Sequence, residues 1–364
     1  MANQFLSVQE IARQCLPILK DNLVFPALCH RDYEQSFSKR GDTITVKKPP
    51  MYEAKNFTGT ISCQDVNEES VQVRLDKIAD VSVALTSKEM ALNLESFTDQ
   101  VLKPAVAAIA EKINADGMQL FDDVSNEIGK RGQAPDSMKV FAQAGKQLNQ
   151  AKAPVQDRYA IWSPEAISHL QLIDGVVGAE KSGSTKALRD GSIGRILGIE
   201  NYMSQAVPSH VSGDVRSFKL ASAAQAGAHE ISVIADSGTA FKSGDAAELD
   251  GVEYEIQNDA AVSGTAAVTL TLTEGLKKQL AKDTKGTICA EYSGNMVFQR
   301  NAFAFVTRPL EPARGAESYL VEYEGLPLRV TIGYDMTTKM QIMSVDMLYG
   351  FVTLYPQLAC RVMS

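Results

Sequence analysis

Residues 104–129 read PAVAAIAEKINADGMQLFDDVSNEIG, and the rest of the chain can be ordered around them. Ala105, Ile109, Ile113, Leu120, Val124 and Ile128 recur at helical spacing. Charged or polar residues fill most of the gaps: Glu111, Lys112, Asp116, Gln119, Asp122, Asp123 and Glu127. Pro104 suits the first helical position, where its missing N–H would have had no intrahelical partner. Gly129 and Gly132 bracket the expected stop. The pattern predicts one helix over 104–129, roughly 39 Å long at ~1.5 Å per residue. A rod of that length needs a sheet or a neighbouring element along its apolar stripe. Gly117 in its middle costs roughly 1 kcal/mol relative to alanine, which points to close backbone packing there.

On the N-terminal side, Val8, Ile11, Ala12, Cys15, Leu16 and Leu19 share a helical face that Pro17 is expected to disturb. Residues 1–35 cannot build a core alone. They are expected to lie across another part of the chain or, preferentially, across a neighbouring subunit. Residues 41–86 read as a long two-stranded excursion. Thr43–Val46 alternates, Lys47-Lys48-Pro49-Pro50 stops the strand, and Val71, Val73, Leu75, Val81, Val83 and Leu85 mark the return. Its polar tip has little to bury, so it is either a surface hairpin or a limb lying on another molecule.

On the C-terminal side, Ser137–Asn149 predicts a shorter helix with Met138, Phe141, Ala142 and Leu148 inward. Arg158–Trp162 predicts a buried strand. Ser163-Pro164-Glu165 carries an N-cap, a first-position proline and a first-turn acid. Gly178–Thr185 nearly spells a phosphate loop, but Ser184 stands where the loop's lysine is required and no apolar strand precedes it. Gly191–Gly198 lacks the GxGxxG spacing, so nucleotide binding is not expected. Residues 212–290 shift to Ala, Ser, Thr and Gly, with short alternating runs at 230–234, 253–256 and 268–272 separated by Ser243-Gly244-Asp245, Asp250-Gly251 and Ser263-Gly264. This predicts a small inserted β-rich domain. Strands follow at 301–306, 319–323, 328–333, 339–348 (ended by Gly350) and 358–362.

The 364 residues carry 36 Lys and Arg against 44 Asp and Glu, a net charge of −8. That excludes a generally basic nucleic-acid binder. The five cysteines are scattered without CxxC spacing, and the four histidines are equally dispersed, so neither set forms a metal or redox motif. Reduced, buried thiols are expected. No basic n-region opens the chain and no apolar run reaches a membrane-spanning length, so neither a signal peptide nor a membrane span is expected. No catalytic, cofactor-binding or metal-binding residue is assigned; Asp122-Asp123 falls on the polar face of the predicted helix.

Asp346-Met-Leu-Tyr-Gly-Phe-Val-Thr-Leu-Tyr-Pro-Gln-Leu-Ala-Cys-Arg-Val362 resembles the closing motif of tailed-phage coat proteins. Three further pieces resemble that family in order. Lys103-Pro104 opens its spine helix, Tyr159–Glu165 resembles the strand-to-helix step of its axial domain, and Gly191–Gly198 resembles its loop before a short strand. The resemblance covers nearly all of the chain outside 212–290. It implies an α+β, HK97-like capsid fold of the short-tailed (P22-type) branch with an inserted β-domain. The implied parts are an N-terminal arm (1–35), an extended hairpin loop and start of the peripheral domain (36–86), a peripheral domain with the spine helix (87–135), an axial domain (136–211), the insertion (212–290), and axial and peripheral strands with the C-terminus (291–364).

By the same resemblance, the chain is expected to be a major capsid protein. Hexamers and pentamers would form an icosahedral virion shell around double-stranded DNA, assembled in the host cytoplasm and expanded from a procapsid. Scaffold-carrying members have a helical extension before the arm. This sequence starts almost at the arm, so a separate scaffolding protein is expected, alongside a portal protein. DNA is expected to meet the inner face without sequence reading, and no membrane is involved. Some members cross-link a hairpin lysine to an asparagine. Lys47, Lys48 and Lys55 could stand there, although the short-tailed branch generally lacks the reaction. Alternatives are a non-viral encapsulin-type compartment shell of the same fold, or a two-lobed soluble enzyme or binding protein.

Overall fold

The computed structural model describes residues 8–31, 43–48, 70–85, 98–177, 190–264, 266–289, 291–313, 315–323, 325–337 and 340–364. The stretch 104–129 is not one helix. A π-type turn at Thr98–Leu102 leads into the α-helix Lys103–Met118, and a 3-10 turn at Gln119–Asp123 ends it. The regular part has 16 residues, about 24 Å. Val124 is extended, and Glu127–Gly129 is a strand paired in parallel with Arg361–Met363. Val124 and Ile128 satisfy a period of two as well as of four, so their spacing could not place the boundary. The final strand supplies the hydrogen bonds that decide it.

The helix Val8–Asn22 runs through Pro17, which sits exposed inside it. Ile11, Ala12, Cys15, Leu16, Leu19, Leu23, Phe25 and Leu28 are buried in the main core of their own chain. Each buried Leu, Ile or Phe among them contributes about 1.5–3 kcal/mol, which offsets the hydrogen bond that proline removes. The preference for a neighbouring subunit is therefore corrected for residues 8–31. Asn114 of the central helix fixes the turn after this first helix. Its Oδ1 accepts from the N–H groups of Val24 (3.1 Å) and Phe25 (3.2 Å), and its Nδ2 donates to the Asn22 carbonyl (2.9 Å). The segment ends by exchanging backbone bonds with a strand: His30 N–H to the Phe303 carbonyl and Phe305 N–H to the His30 carbonyl.

Among the described residues, an antiparallel five-stranded sheet backs these helices. Lys77–Leu85 pairs one side of Met340–Thr353 at residues 341–349. The other side is shared by Leu326–Asp335, against 340–346, and Phe303–Arg308, against 348–353; Glu317–Tyr323 extends the sheet beyond Leu326–Asp335. Thr43–Lys47 and Ser70–Arg74 form the base of a hairpin that covers part of this sheet. Its tip lies outside the described residues. Phe303–Arg308 is buried on both faces, because Phe303 and Phe305 enter the main core while Ala304 and Val306 pack under the hairpin. Gly350 does not break its strand. It pairs with Val306, and an added Cβ would stand 2.7 Å from the Arg74 carbonyl. The missing side chain admits the hairpin.

A mixed sheet, seven-stranded among the described residues, forms the other half of the body. Its order is Glu127–Gly129, Ala359–Met363, Glu291–Gln299, Arg158–Trp162, Ile199–Met203 and Arg195–Ile196, with Ser209–Val211 on the start of Glu291–Gln299. Helices Lys139–Gln150 and Pro164–Gln171 flank it, the first burying Phe141, Ala144 and Leu148, whereas Ala142 is exposed. Ser163 Oγ accepts from the Ala166 N–H at 3.1 Å, the cap that the Ser-Pro-Glu signature announces.

Among the described residues, 217–288 hold a six-stranded antiparallel sheet ordered Val252–Glu255, Ala246–Leu249, Lys285–Ile288, Ser217–Leu220, Glu230–Ala235, Val268–Thr271, with Ala240–Phe241 and Ala260–Ala261 as a separate pair. The two outer strands meet through the Ile256–Leu272 bridge and two further backbone bonds, Gln257 N–H to Thr271 and Thr273 N–H to Glu255, which close the sheet into a barrel. Closure removes the exposed edges. Its core, built on Phe218, Leu220, Ile231, Val233, Leu249, Ile256 and Leu270, is separate from the main core. Asp250 (φ 51°) and Gly251 (φ 75°) form the expected tight turn.

Candidate functional site

Three polar constructions organise the molecule. The first fixes the central helix. Asp116 is buried; its Oδ1 accepts from Lys112 Nζ (2.8 Å), its Oδ2 from the Tyr349 hydroxyl (2.6 Å), and Lys77 Nζ lies at 3.8 Å. Burial pushes this carboxyl up, but the hydrogen bonds from Lys112 and Tyr349 and the charges of Lys77 and Lys112 outweigh it, so the net shift is downward. Burial, reinforced by the bond to Asp116, pushes the Tyr349 hydroxyl well up. At the next residue, the rings of Phe25 and Phe351 lie against Gly117 where a Cβ would stand, the close approach expected at this glycine.

The second lies between the mixed sheet and the Pro164–Gln171 helix. Asn295, fully buried, accepts from the Ser163 N–H (2.7 Å) and donates to the Val362 carbonyl (3.1 Å) and Ser364 Oγ (2.8 Å). The Ser293 hydroxyl bridges Ser163 and Ser364 at 3.1 and 2.7 Å. Each of these polar groups has a partner, the condition for tolerating them in a core.

The third joins the barrel to the body. Asp245, fully buried, accepts from the Gly213 and Lys242 N–H groups and pairs with His210 Nε2 at 2.9 Å. Beside it, Arg131 faces Glu127 (2.9 Å), Glu253 (3.5 Å) and Glu255 (3.4 Å) and lies 5.3 Å from the Tyr292 ring centroid. A crevice of about 640 Å³ opens between the two bodies here. A second hollow, of about 760 Å³, lies between the first helix and Glu317–Tyr323 and is lined by Leu16, Pro17, Lys20 and Tyr319 among others.

On the sheet face turned away from the helices, Asp80 stands opposite Asp346. Arg329 grips Asp346 through two bonds of 2.9 and 2.7 Å, and the Ser82 and Ser344 hydroxyls donate to Asp80. The hydroxyls and the guanidinium answer what would otherwise be a like-charge clash.

None of these groups converges as a reacting centre. Among the described residues, no serine or cysteine hydrogen-bonds to His210, and no three or more His, Cys, Asp or Glu side chains are placed to hold a metal ion. Burial pushes the Cys15 and Cys360 thiols up to about 12 and Cys29 higher than usual. Asp122 and Asp123 are exposed, and Asp123 accepts from the Thr353 hydroxyl. Lys48 Nζ lies 5.2 Å from the Tyr355 ring centroid; Lys55 and Gly178–Thr185 fall outside the described residues. No helix among the described residues is long and apolar enough to cross a membrane. Sequence reasoning missed Asp116, Arg131, Asp245 and Asn295. Asp245 carried a faint signal in its Ser-Gly-Asp turn; each of the others has at least one partner over a hundred residues away, Tyr349 for Asp116, Glu253 and Glu255 for Arg131, and Ser163 for Asn295.

No protein-family model and no curated protein sequence matches the chain. Solved structures do. A chain from Mycobacterium phage Che8 superimposes with a TM-score of 0.51 at 15% identity, covering 93% of this chain and 90% of that one. The capsid of cyanophage P-SCSP1u gives 0.48 at 13% identity over 93% and 87%, and a virus-like particle from Pyrococcus furiosus gives 0.44 at 8% over 100% and 99%. The chain shares its fold with the Mycobacterium phage Che8 chain over 93% of its length.

Proposed function

We propose that this chain is the major capsid protein of a tailed bacteriophage. Many copies, as hexamers and pentamers, form an icosahedral shell around double-stranded DNA. The observation that carries this reading is the fold shared with the phage Che8 chain over nine-tenths of both molecules. The resemblance of Asp346–Val362 to a coat-protein closing motif supports it independently.

The same reading assigns the HK97-like parts. Lys103–Met118 is the spine helix, the helix-backed sheet belongs to the peripheral domain, the mixed sheet belongs to the axial domain, and the barrel is the insertion. The arm works differently from the sequence expectation: residues 8–31 stiffen their own subunit. Reaching a neighbour falls to the hairpin, whose base is seated at Gly350. Because Asn114, Asp116 and Gly117 weld the arm, the spine helix and Met340–Thr353 together, expansion of a procapsid proceeds by rigid-body rotation of whole subunits. With a net charge of −8, the inner wall meets DNA without sequence reading. A separate scaffolding protein and a portal protein are the assembly partners, assembly takes place in the host cytoplasm, and the virion is the destination. The role is structural rather than enzymatic.

Expression of the chain with and without its scaffolding protein, followed by sizing and negative-stain imaging, tests this. Megadalton closed shells are expected with scaffold, and few or aberrant ones without. A discrete small oligomer under both conditions overturns the capsid reading. Uniform shells from this chain alone overturn only the scaffold requirement.

A further inference from the structure

The barrel and the body have separate apolar cores, and the chain crosses between them twice, around residues 212–216 and 288–291. What lies between the two bodies is largely charge. Arg131, with 7% of its side chain exposed, sits among carboxylates from both sides: Glu127 of the body, and Glu253 and Glu255 of the barrel strand Val252–Glu255. Arg361 approaches Glu127 at 3.0 Å and stacks 5.1 Å from the Phe121 ring centroid, while Lys130 meets Glu248 of the barrel at 3.0 Å. Three acids thus converge on one guanidinium that belongs to the body. Burial alone would pull Arg131 down, but the Glu127 and Glu255 carboxylates and their neighbours hold it firmly protonated.

We propose that Arg131 is the bolt of an electrostatic latch that seats the barrel against the end of the mixed sheet, and that the barrel swings away when those charges are screened or the guanidinium is removed. Buried ion pairs add little net stability but fix one arrangement, and taking away one partner leaves the others uncompensated. Without Arg131, Glu127 repels Glu253 and Glu255 across the joint. Beside the tethers the barrel is held by Asp245 to His210 and the Gly213 N–H, Ser212 to the Cys289 carbonyl and the Tyr292 hydroxyl to the Gly244 carbonyl, and these bonds are the pivot about which the Arg131 side parts. The latch rests on this geometry alone, not on the shell reading.

Cys289, partly exposed at the joint with its sulfur against Gly132, reports the opening. Its alkylation rate is read by peptide mass mapping on the dispersed chain, with the buried Cys15 and Cys360 as folding controls. Arg131→Met is expected to raise Cys289 labelling about fivefold or more with both controls still protected. Adding Glu253→Gln and Glu255→Gln to that variant is expected to return labelling most of the way. On the unaltered chain, raising salt to about 1 M, where the screening length is ~3 Å, is expected to raise it at least twofold. Unchanged labelling in Arg131→Met with protected controls overturns the proposal. If the controls also react, that variant has unfolded and the salt titration decides: a flat profile overturns the latch. Particle sizing does not depend on which way the labelling falls, so a failed latch and a failed shell reading remain distinguishable.

Discussion

The body and the barrel bury their aromatic rings by opposite strategies. In the body, Phe25 lies 5.5–5.8 Å from Phe298, Phe303 and Phe351, all more than 270 residues away in sequence. In the barrel, Phe218 meets Phe241 at 5.7 Å and crosses its own strand neighbour Gly286, all within the insertion. The body is therefore assembled from both ends of the chain, and its stability depends on contacts that close very large loops. The barrel is complete within residues 217–288 and its outer strands are joined. The difference predicts two separable unfolding units.

The sharpest way to break that contrast is a matched pair of truncations. Phe25→Ala and Phe218→Ala each remove a buried ring, costing about 3–5 kcal/mol. Calorimetry with hydrogen exchange should show the first lowering only the body transition, with Ile231, Val233 and Leu270 amides keeping their protection. The second should do the reverse. Loss of protection in both units from either variant would merge them into one.

Next comes Asp116→Asn, expected to cost the body about 1–3 kcal/mol at neutral pH and nothing in the barrel. Because the folded-state pKa of Asp116 lies below its ordinary value of 3.8, its contribution is present above that value and is lost as pH falls through the lower one. The acid limb of body stability below about pH 4 should flatten in the variant. An identical acid limb in both proteins would mean that Asp116 contributes nothing to it.

Two turns give the smallest effects, of opposite sign. Gly251→Ala forces a side chain to φ 75° and should lower barrel stability by about 1–2 kcal/mol while leaving the body transition in place. Leu197, at φ 47° in the turn between Arg195–Ile196 and Ile199–Met203, occupies a position suited to asparagine. Leu197→Asn should raise body stability by up to about 1 kcal/mol, read as a shift of the body transition alone. A loss on Leu197→Asn would mean that the leucine side chain has a contact worth more than its backbone strain.

The same contrast explains what could be read from residue order. Ser163-Pro164-Glu165, Asp250-Gly251 and the close packing at Gly117 are local or near-local statements, and the structure realises each. Three of the six barrel strands were visible as alternating runs, at Glu230–Ala235, Val252–Glu255 and Val268–Thr271, whereas Ser217–Leu220, Ala246–Leu249 and Lys285–Ile288 were not. The end of the 104–129 helix was not, since Glu127–Gly129 becomes a strand only by pairing with Arg361–Met363. Gly350 looked like a breaker because nothing nearby announces that the Arg74 carbonyl needs its missing Cβ. The arm looked unfinished because Asn114, its cap, lies about ninety residues away. Arg131 and Asn295 are ordinary polar residues until distant partners surround them.

Val211 and Glu291 are direct register partners on adjacent antiparallel strands. Neighbours of that kind stand about 5 Å apart, a gap that a turn of about two residues spans. The segment between them leaves and re-enters the mixed sheet at one point, so an engineered chain that joins the two strands as a plain hairpin is expected to keep that sheet intact.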